Sequence, residues 1–354
     1  MSWFSSLSLR ARTLIVGSTV SVVLIVVGAA VPIPYVALGP GVTYNTLSDV
    51  DGTAVISFAG TVPDSVKQSD GTGHLNMTTV SVYDKLPLFE ALGMWVSGQY
   101  ALVPRAEVYP PDKTVEQVNQ QNTKDFSDSQ SAAEIAALRY LKYPNVVYVG
   151  TIAASSPSFK VLQPQDQITA IDGTAVTDFT SLQTALKNTL PGQVATVTVL
   201  RADKSVDAKV TLMANPSAGK QGFLGIGAVE RPKAPFTISI SLSNIGGPSA
   251  GLMFTLGILD KLTPGGLTAG RYIAGTGTME VEDDKGTVGA IGGILLKMIA
   301  AKAAGASVFL VPADNCAEAL TRIPAGLELA KVATLGDAVT ALKTLAAGGT
   351  PPSC

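Results

Sequence analysis

Between Thr13 and Val31 the chain runs for nineteen residues without one charged side chain. At about 1.5 Å per residue, a helix of that length spans roughly 28 Å, close to the hydrocarbon thickness of a bilayer. Inside lipid such a segment has to be helical, because only a helix satisfies its own backbone polar groups there. Arg10 and Arg12 precede the run and no positive charge follows it closely. That asymmetry predicts a cytoplasmic segment over 1–12, a membrane-spanning helix over 13–31 and an extracytoplasmic remainder. A cleaved signal peptide is the rival reading, with Ala29 and Ala30 near the cut. The run is longer than the usual apolar core of a signal, which favours an uncleaved anchor.

Composition agrees with a chain that meets both lipid and water. Hydrophobic residues make up 46% of 354 positions and charged residues only 15%, against about 25% in an ordinary soluble domain. Mean hydropathy is +0.33, net charge is −2 and the isoelectric point is near 5.5. No basic stripe or base-stacking motif occurs, which argues against nucleic acid as a partner. No Gly-x4-Gly-Lys-Ser/Thr phosphate loop is present, so no bound nucleotide is read. No Cys-x-x-Cys pair or histidine cluster suggests a metal, and no cofactor site is read.

Two glycine turns stand out in the last third. The first is Gly246-Gly247-Pro248-Ser249-Ala250-Gly251; the second is Gly292-Gly293, followed by Ile294-Leu295-Leu296-Lys297. Glycine allows backbone angles that other residues resist, and Pro248 suits a first helical position. A helix is therefore expected over Pro248–Lys261, with Ser249 in its first turn. Unpaired N–H groups and the positive end of the helix dipole point outward there, which suits an alkoxide or oxyanion.

A serine hydroxyl needs a base. The chain's one histidine, His74, sits in Gly71-Thr72-Gly73-His74-Leu75-Asn76, which looks like a loop entering a strand. Lysine is the other option. It must fall well below its ordinary pKa of about 10.4 to accept a proton at neutral pH, and burial pushes it that way. Lys297 lies in an apolar, alanine-rich helix that meets this requirement. Read blandly, both segments are ordinary glycine turns of an α/β domain.

The run GPSAG, then GTG, then GAIGGILLK with its downstream helix–strand pattern, resembles the proteolytic domain of Lon-type Ser-Lys proteases. The resemblance is nearest to the membrane-anchored, ATPase-free branch that carries a PDZ domain, the YlbL-like proteins. It implies Ser249 as nucleophile, Lys297 as general base and Thr276 as the threonine that hydrogen-bonds the lysine. Gly247, Pro248 and Ala250 are implied as supporting positions. A glycine stands where many Lon enzymes carry an acid before the motif. The acidic stretch Glu280, Glu282, Asp283, Asp284 reads as a solvated hairpin tip rather than a metal site.

Residues 143–215 resemble a PDZ domain through Ser156-Pro157, Leu162, Asp166, Ile168 and Ile171-Asp172-Gly173, although Gln165 stands where a glycine is usual. Such domains bind extended peptides by strand addition. The groove is expected between the strand at Val149, Gly150, Thr151 and Ile152 and the helix bearing Leu182 and Leu186. Residues 41–142 then form the N-terminal part of the proteolytic domain, with a helix over Ser127–Lys142 capped by Ser127 or Ser129. Pro216–Gln221 reads as a linker and 221–347 as the C-terminal catalytic part. Cys316 and Cys354 are a candidate disulfide pair if that part lies outside the cytoplasm.

The expected fold class is therefore an α/β (α+β) Lon-type proteolytic domain with an inserted PDZ domain after one transmembrane helix. The implied function is ATP-independent, membrane-anchored serine endopeptidase activity on unfolded or flexible extracytoplasmic protein segments, in a hexameric ring as Lon domains often form. The alternative is a catalytically silent membrane-anchored PDZ scaffold that binds peptides or partner proteins. A His-Asp-Ser protease of the HtrA type is excluded, because no Gly-Asn-Ser-Gly-Gly segment exists.

Overall fold

The structure is a computed structural model that describes residues 8–64, 73–217, 219–243, 245–282 and 285–354. Parts of the sequence readings lie outside the described residues: 1–7 of the cytoplasmic segment, 65–72 of the N-terminal proteolytic part with Gly71-Thr72 before His74, Ala218 of the linker, Asn244 of the C-terminal part, and Asp283 and Asp284 of the acidic tip. The chain divides into two compact units. Unit 1 comprises residues 1–58, 63–136 and 238–354; unit 2 comprises 59–62 and 137–237.

Unit 1 begins with α1 (Leu9–Ala30), which is 22 residues long with a mean hydropathy of 2.3. It is long and apolar enough to cross a membrane. It starts four residues before the uncharged run, because Ser8 Oγ accepts from Ala11 N and caps it. The proline-rich exit leads into β1 (Tyr35–Asn45), β2 (His74–Tyr83), α2 (Leu88–Ser97) and β3 (Ala101–Pro104). A long helix, α3, follows over Val115–Tyr140.

The start of α3 corrects the expected one. Thr114 and Gln117 form a reciprocal cap, Gln117 N on Thr114 Oγ1 and Thr114 N on Gln117 Oε1. Residues 115–126 are mostly polar, so apolar periodicity begins only later. Side-chain bonds at one-turn spacing, such as Gln121 to Asp125 at 2.6 Å, support the early turns. Ser127 and Ser129 are interior, and neither caps the helix.

Unit 2 contains β4 (Asn145–Ile152), β5 (Gln167–Ile171), α4 (Phe179–Leu186), β6 (Val194–Arg201), β7 (Lys204–Thr211) and β8 (Ile226–Pro232). Its sheet is antiparallel in the order β7-β6-β5-β4-β8. Alternating residues such as Val197, Val199 and Val210 point into one apolar core with Leu182, Leu186 and Leu224. The unit is wider than 143–215. Residues 221–237, expected in the proteolytic part, belong here because β8 pairs with β4 along seven positions. The expected linker instead joins the short pair Met213–Ala214 and Gly222–Phe223.

Gln165 adopts a φ of 73°, the left-handed region where glycine carries no steric cost. Replacement Gln165→Gly is expected to stabilise unit 2 by roughly 0.5–1 kcal/mol, the relieved strain outweighing the added chain entropy. Denaturant unfolding that shows no gain, or a loss, would count against that account.

The chain returns to unit 1 with α5 (Gly251–Leu262), β9 (Tyr272–Gly275), α6 (Ile294–Ala303), β10 (Val308–Pro312), β11 (Glu328–Val332) and α7 (Leu335–Ala346). The unit 1 sheet runs β11-β10-β9-β2-β1-β3, parallel from β11 to β2 and antiparallel beyond. All five residues of β10 are buried, as its unbroken apolar run predicts. Every residue of α5 except Lys261 is buried, Thr255 and Asp260 included, so this helix sits inside the unit with all its faces covered. α6 packs on β1, β2 and β9.

Candidate active site

The helix that follows Ser249 begins at Gly251 with Ala250 as its cap, two residues after the serine. The sequence reading placed Ser249 in the first helical turn and Pro248 at its start. The difference has a cause in the hydrogen bonds. Ser249 O accepts from Gly277 N at 3.0 Å, and Leu252 N donates to Gly277 O at 3.1 Å. This exchange draws the Ser249 peptide off the helical path, and the first helical bond is Phe254 N on Ala250 O. Gly247 turns the chain with a φ of 88°. Among the described residues no group accepts the N–H of Ser249 or Ala250.

α3 holds the other side of this loop. Asn122 O accepts from Gly247 N at 2.8 Å, and Ser129 Oγ donates to Pro248 O at 3.0 Å. Asn122 and Ser129 are seven positions apart and so share a helix face. The sequence reading missed both as site supports; their spacing was the available signal, hidden by a helix start placed too late.

Lys297 sits in the first turn of α6, its N–H on Gly293 O at 3.1 Å. Gly293 has a φ of 71°, so a residue free of a Cβ opens this helix too. Lys297 is 3% exposed. Its Nζ lies 2.6 Å from Ser249 Oγ and 3.0 Å from Thr276 Oγ1. Thr276 Oγ1 in turn donates to Ser249 O at 3.0 Å. Burial brings the lysine down to a pKa of about 8. An amine with that value is neutral in a useful fraction of molecules near neutral pH, so it can take the serine proton.

Ser249, Thr276 and Lys297 thus come together from three segments, while His74 does not join them. Its ring stacks on Tyr272 at 4.2 Å and its Nδ1 meets Asn45 Nδ2. An open groove of about 770 Å³ runs past Ser249 and Lys297, walled by Thr78–Tyr83 of β2 and by Ala290–Gly292. The pairing of β2 with β9 ends at Met77. From Thr79 to Tyr83 that edge of β2 has no partner strand among the described residues and faces the open groove.

In unit 2 the groove of about 350 Å³ lies elsewhere than expected. Its helix wall is α4, with Leu182 and Leu186 as predicted, but its strand wall is Gly222-Phe223-Leu224 and Ile226 and Ala228 of β8. Val149, Gly150, Thr151 and Ile152 belong to β4 and do not line this groove. Val149, Thr151 and Ile152 pair with β8 on one edge, while β5 pairs with β4 only at Val147 and Tyr148. β8 lies at the sheet edge, and Ile226 and Ala228 face the groove from it. The glycine–aromatic stretch Gly222-Phe223-Leu224-Gly225 just before β8 was the missed signal. Cys316 and Cys354 form a disulfide, with Cα atoms 5.3 Å apart. The tail it holds accepts Lys331 N on Pro352 O at 2.8 Å, beside β11.

Residues 244–343 match the family model of the Lon protease (S16) C-terminal proteolytic domain, and residues 116–212 match that of the PDZ domain. Among curated proteins none matches significantly. Solved structures include the PDZ domain of the SdrC-like protein from Listeria monocytogenes, 28% identical over 23% of this chain and 86% of that one, with a TM-score of 0.22. A second is a Geobacillus thermodenitrificans protein solved in solution, 27% identical over 23% of this chain and 94% of that one, also with a TM-score of 0.22.

Proposed function

We propose that this chain, a Lon-type protease with a PDZ domain, is a membrane-anchored serine endopeptidase that works without ATP through a Ser249–Lys297 dyad. The observation that carries the reading is the buried Lys297 Nζ, 2.6 Å from Ser249 Oγ. Neutral Lys297 accepts the hydroxyl proton as Ser249 Oγ attacks the scissile carbonyl. The free N–H groups of Ser249 and Ala250, with the N-terminal end of α5 behind them, face the developing oxyanion. The lysine then gives its proton to the leaving amine, and water, deprotonated by the same lysine, releases the acyl group. Thr276 orients the amine and carries no charge of its own.

The chain holds no nucleotide loop to drive unfolding, so its substrates are unfolded or flexible segments laid along the open edge of β2. The groove between α4 and β8 selects among them by taking an extended peptide as an added strand. Arg10 and Arg12 before α1 set the N-terminus in the cytoplasm and the catalytic part outside. The Cys316–Cys354 bond suits an oxidising compartment. Resemblance to Lon domains implies a hexameric ring.

The test is cleavage of an unfolded protein such as casein by the full chain in detergent, with no ATP, across pH. Activity is expected to rise tenfold per pH step below a midpoint near 8 and then level off, because only the neutral lysine is a base. Absence of cleavage on the alkaline plateau would refute the reading.

A further inference from the structure

We propose that α2 is a second membrane contact, an interfacial foot that rests its outer face in the headgroup region of the bilayer that α1 crosses; this rests on the anchor reading of α1. The face is built for an apolar medium. Ala91 and Met94 turn inward onto Ala37, Leu86 and Leu102. Leu88, Leu92, Trp95 and Val96 turn outward, with Trp95 61% and Val96 77% exposed. Their spacing of three and four places them on one side of the helix.

The position of α2 says what covers that side. Phe89 packs directly on Gly28 in the last turn of α1, where a Cβ would come within 2.7 Å of its ring. Ile33 N donates to Leu86 O at 2.9 Å, and Pro32 bridges to Pro87. The start of α2 is therefore tied to the residues just beyond α1, and its first turn touches the end of α1. The end of a spanning helix lies at the boundary between acyl chains and headgroups, so α2 is held at that level. A tryptophan on a short amphipathic helix is suited to that boundary. Exposed Lys85 precedes the helix, and Arg322 donates to Gly98 O at its C-terminal end. These two cations favour anionic headgroups, against one acid, Glu90, on the helix itself.

The consequence reaches the catalytic groove. Its β2 wall ends at Tyr83, five residues before Leu88, and Arg105 clamps the intervening Asp84 by a 2.8 Å bond. A foot on the membrane sets the groove close to the surface, where segments leaving the bilayer are within reach.

The chain has two tryptophans, Trp3 and Trp95. The full chain carrying Trp3→Phe is reconstituted into vesicles of phosphatidylcholine and phosphatidylglycerol in equal parts. The lipids are brominated either near the headgroup end of the acyl chains or near their middle. Trp95 is expected to emit to the blue of an exposed indole and to lose about half its fluorescence to the shallow bromines, as burial roughly 5–10 Å deep requires. A companion chain with Trp3→Phe, Trp95→Phe and Val20→Trp reports on α1 through the deep bromines. Quenching in α1 but none at Trp95 overturns the foot and leaves the anchor standing. Quenching at neither site overturns both. A blue-shifted Trp95 that no bromine quenches, and that shifts back on protein dilution, overturns the foot in favour of a second copy of the chain.

Discussion

Ser249→Ala and Lys297→Met are each expected to lower kcat/KM on an unfolded substrate by about 10⁴-fold or more, and the double variant to be no worse than either single one. Both effects follow from one bond. With the amine gone, the Ser249 hydroxyl keeps its proton; with the hydroxyl gone, the amine has nothing to activate. Residues that act as a unit share one loss, so the losses do not add. Cleavage products counted by mass spectrometry from wild type and the three variants, at equal loading and above pH 8, make the measurement. If either single variant kept a tenth of wild-type activity, or the double variant were far below both, the dyad would not be the catalytic unit. Arg271→Ala, remote from the three residues, serves as a control that keeps activity.

Lys297→Met is also expected to make the protein more stable at pH 7, by about 2 kcal/mol, while it removes activity. Burial depresses the folded-state pKa of Lys297 to about 8 from an ordinary 10.5. The unfolded chain therefore binds the lysine proton more tightly, and below pH 8 the folded state carries the full burden of that difference, about 3 kcal/mol as a ceiling. Between pH 8 and 10.5 the folded lysine is already neutral while the unfolded chain still holds its proton, ever more weakly as pH rises, so the burden lifts and is gone above 10.5. Wild-type stability should rise with pH across that window relative to the methionine variant, which does not titrate there. Methionine fills the lysine's space with apolar atoms, and the Thr276 hydroxyl keeps its bond to Ser249 O. Denaturant unfolding of both chains at pH 7 and at pH 10.5 separates the cases. A stability difference that is absent at pH 7, or unchanged between the two pH values, would refute it. The site would thus be held at the expense of stability, as functional sites often are.

The three residues that meet at the candidate site were legible because their signals are local. A glycine turn before a serine, a second before a buried lysine and a Gly-Thr-Gly between them each mark their own backbone. The buried strand Val308–Pro312 and the closing helix Leu335–Ala346 carry signals of the same local kind, runs of apolar residues at one period. The misreadings arise where distant segments decide. The unit 2 groove lies on β8 because pairing partners more than seventy residues apart, Glu230 and Val147 for example, fill one edge of β4. Nothing within β4 announces that neighbour. The helix start at Val115 was lost because its opening turns are polar and rest on a cap and side-chain bonds instead of an apolar stripe. The Ser249 turn leaves the helix because Gly277, almost thirty residues on, exchanges two backbone bonds with it.

The Thr276 hydroxyl has one hydrogen, and it is committed to the Ser249 carbonyl. What it offers Lys297 is therefore a lone pair alone, and the 3.0 Å bond between them can run only from nitrogen to oxygen. A neutral amine has two hydrogens and one lone pair on a freely rotating tip. Once a hydrogen is pinned on Thr276, the tip has two remaining orientations, and the one that bonds the serine turns the lone pair toward Ser249 Oγ. In the proposed mechanism the threonine thus acts as a polarising key: it sets the direction in which a proton travels through the trio without ever holding the proton itself. A serine at the same place would keep that sense of direction, whereas a valine of the same shape would leave the amine free to face the wrong way.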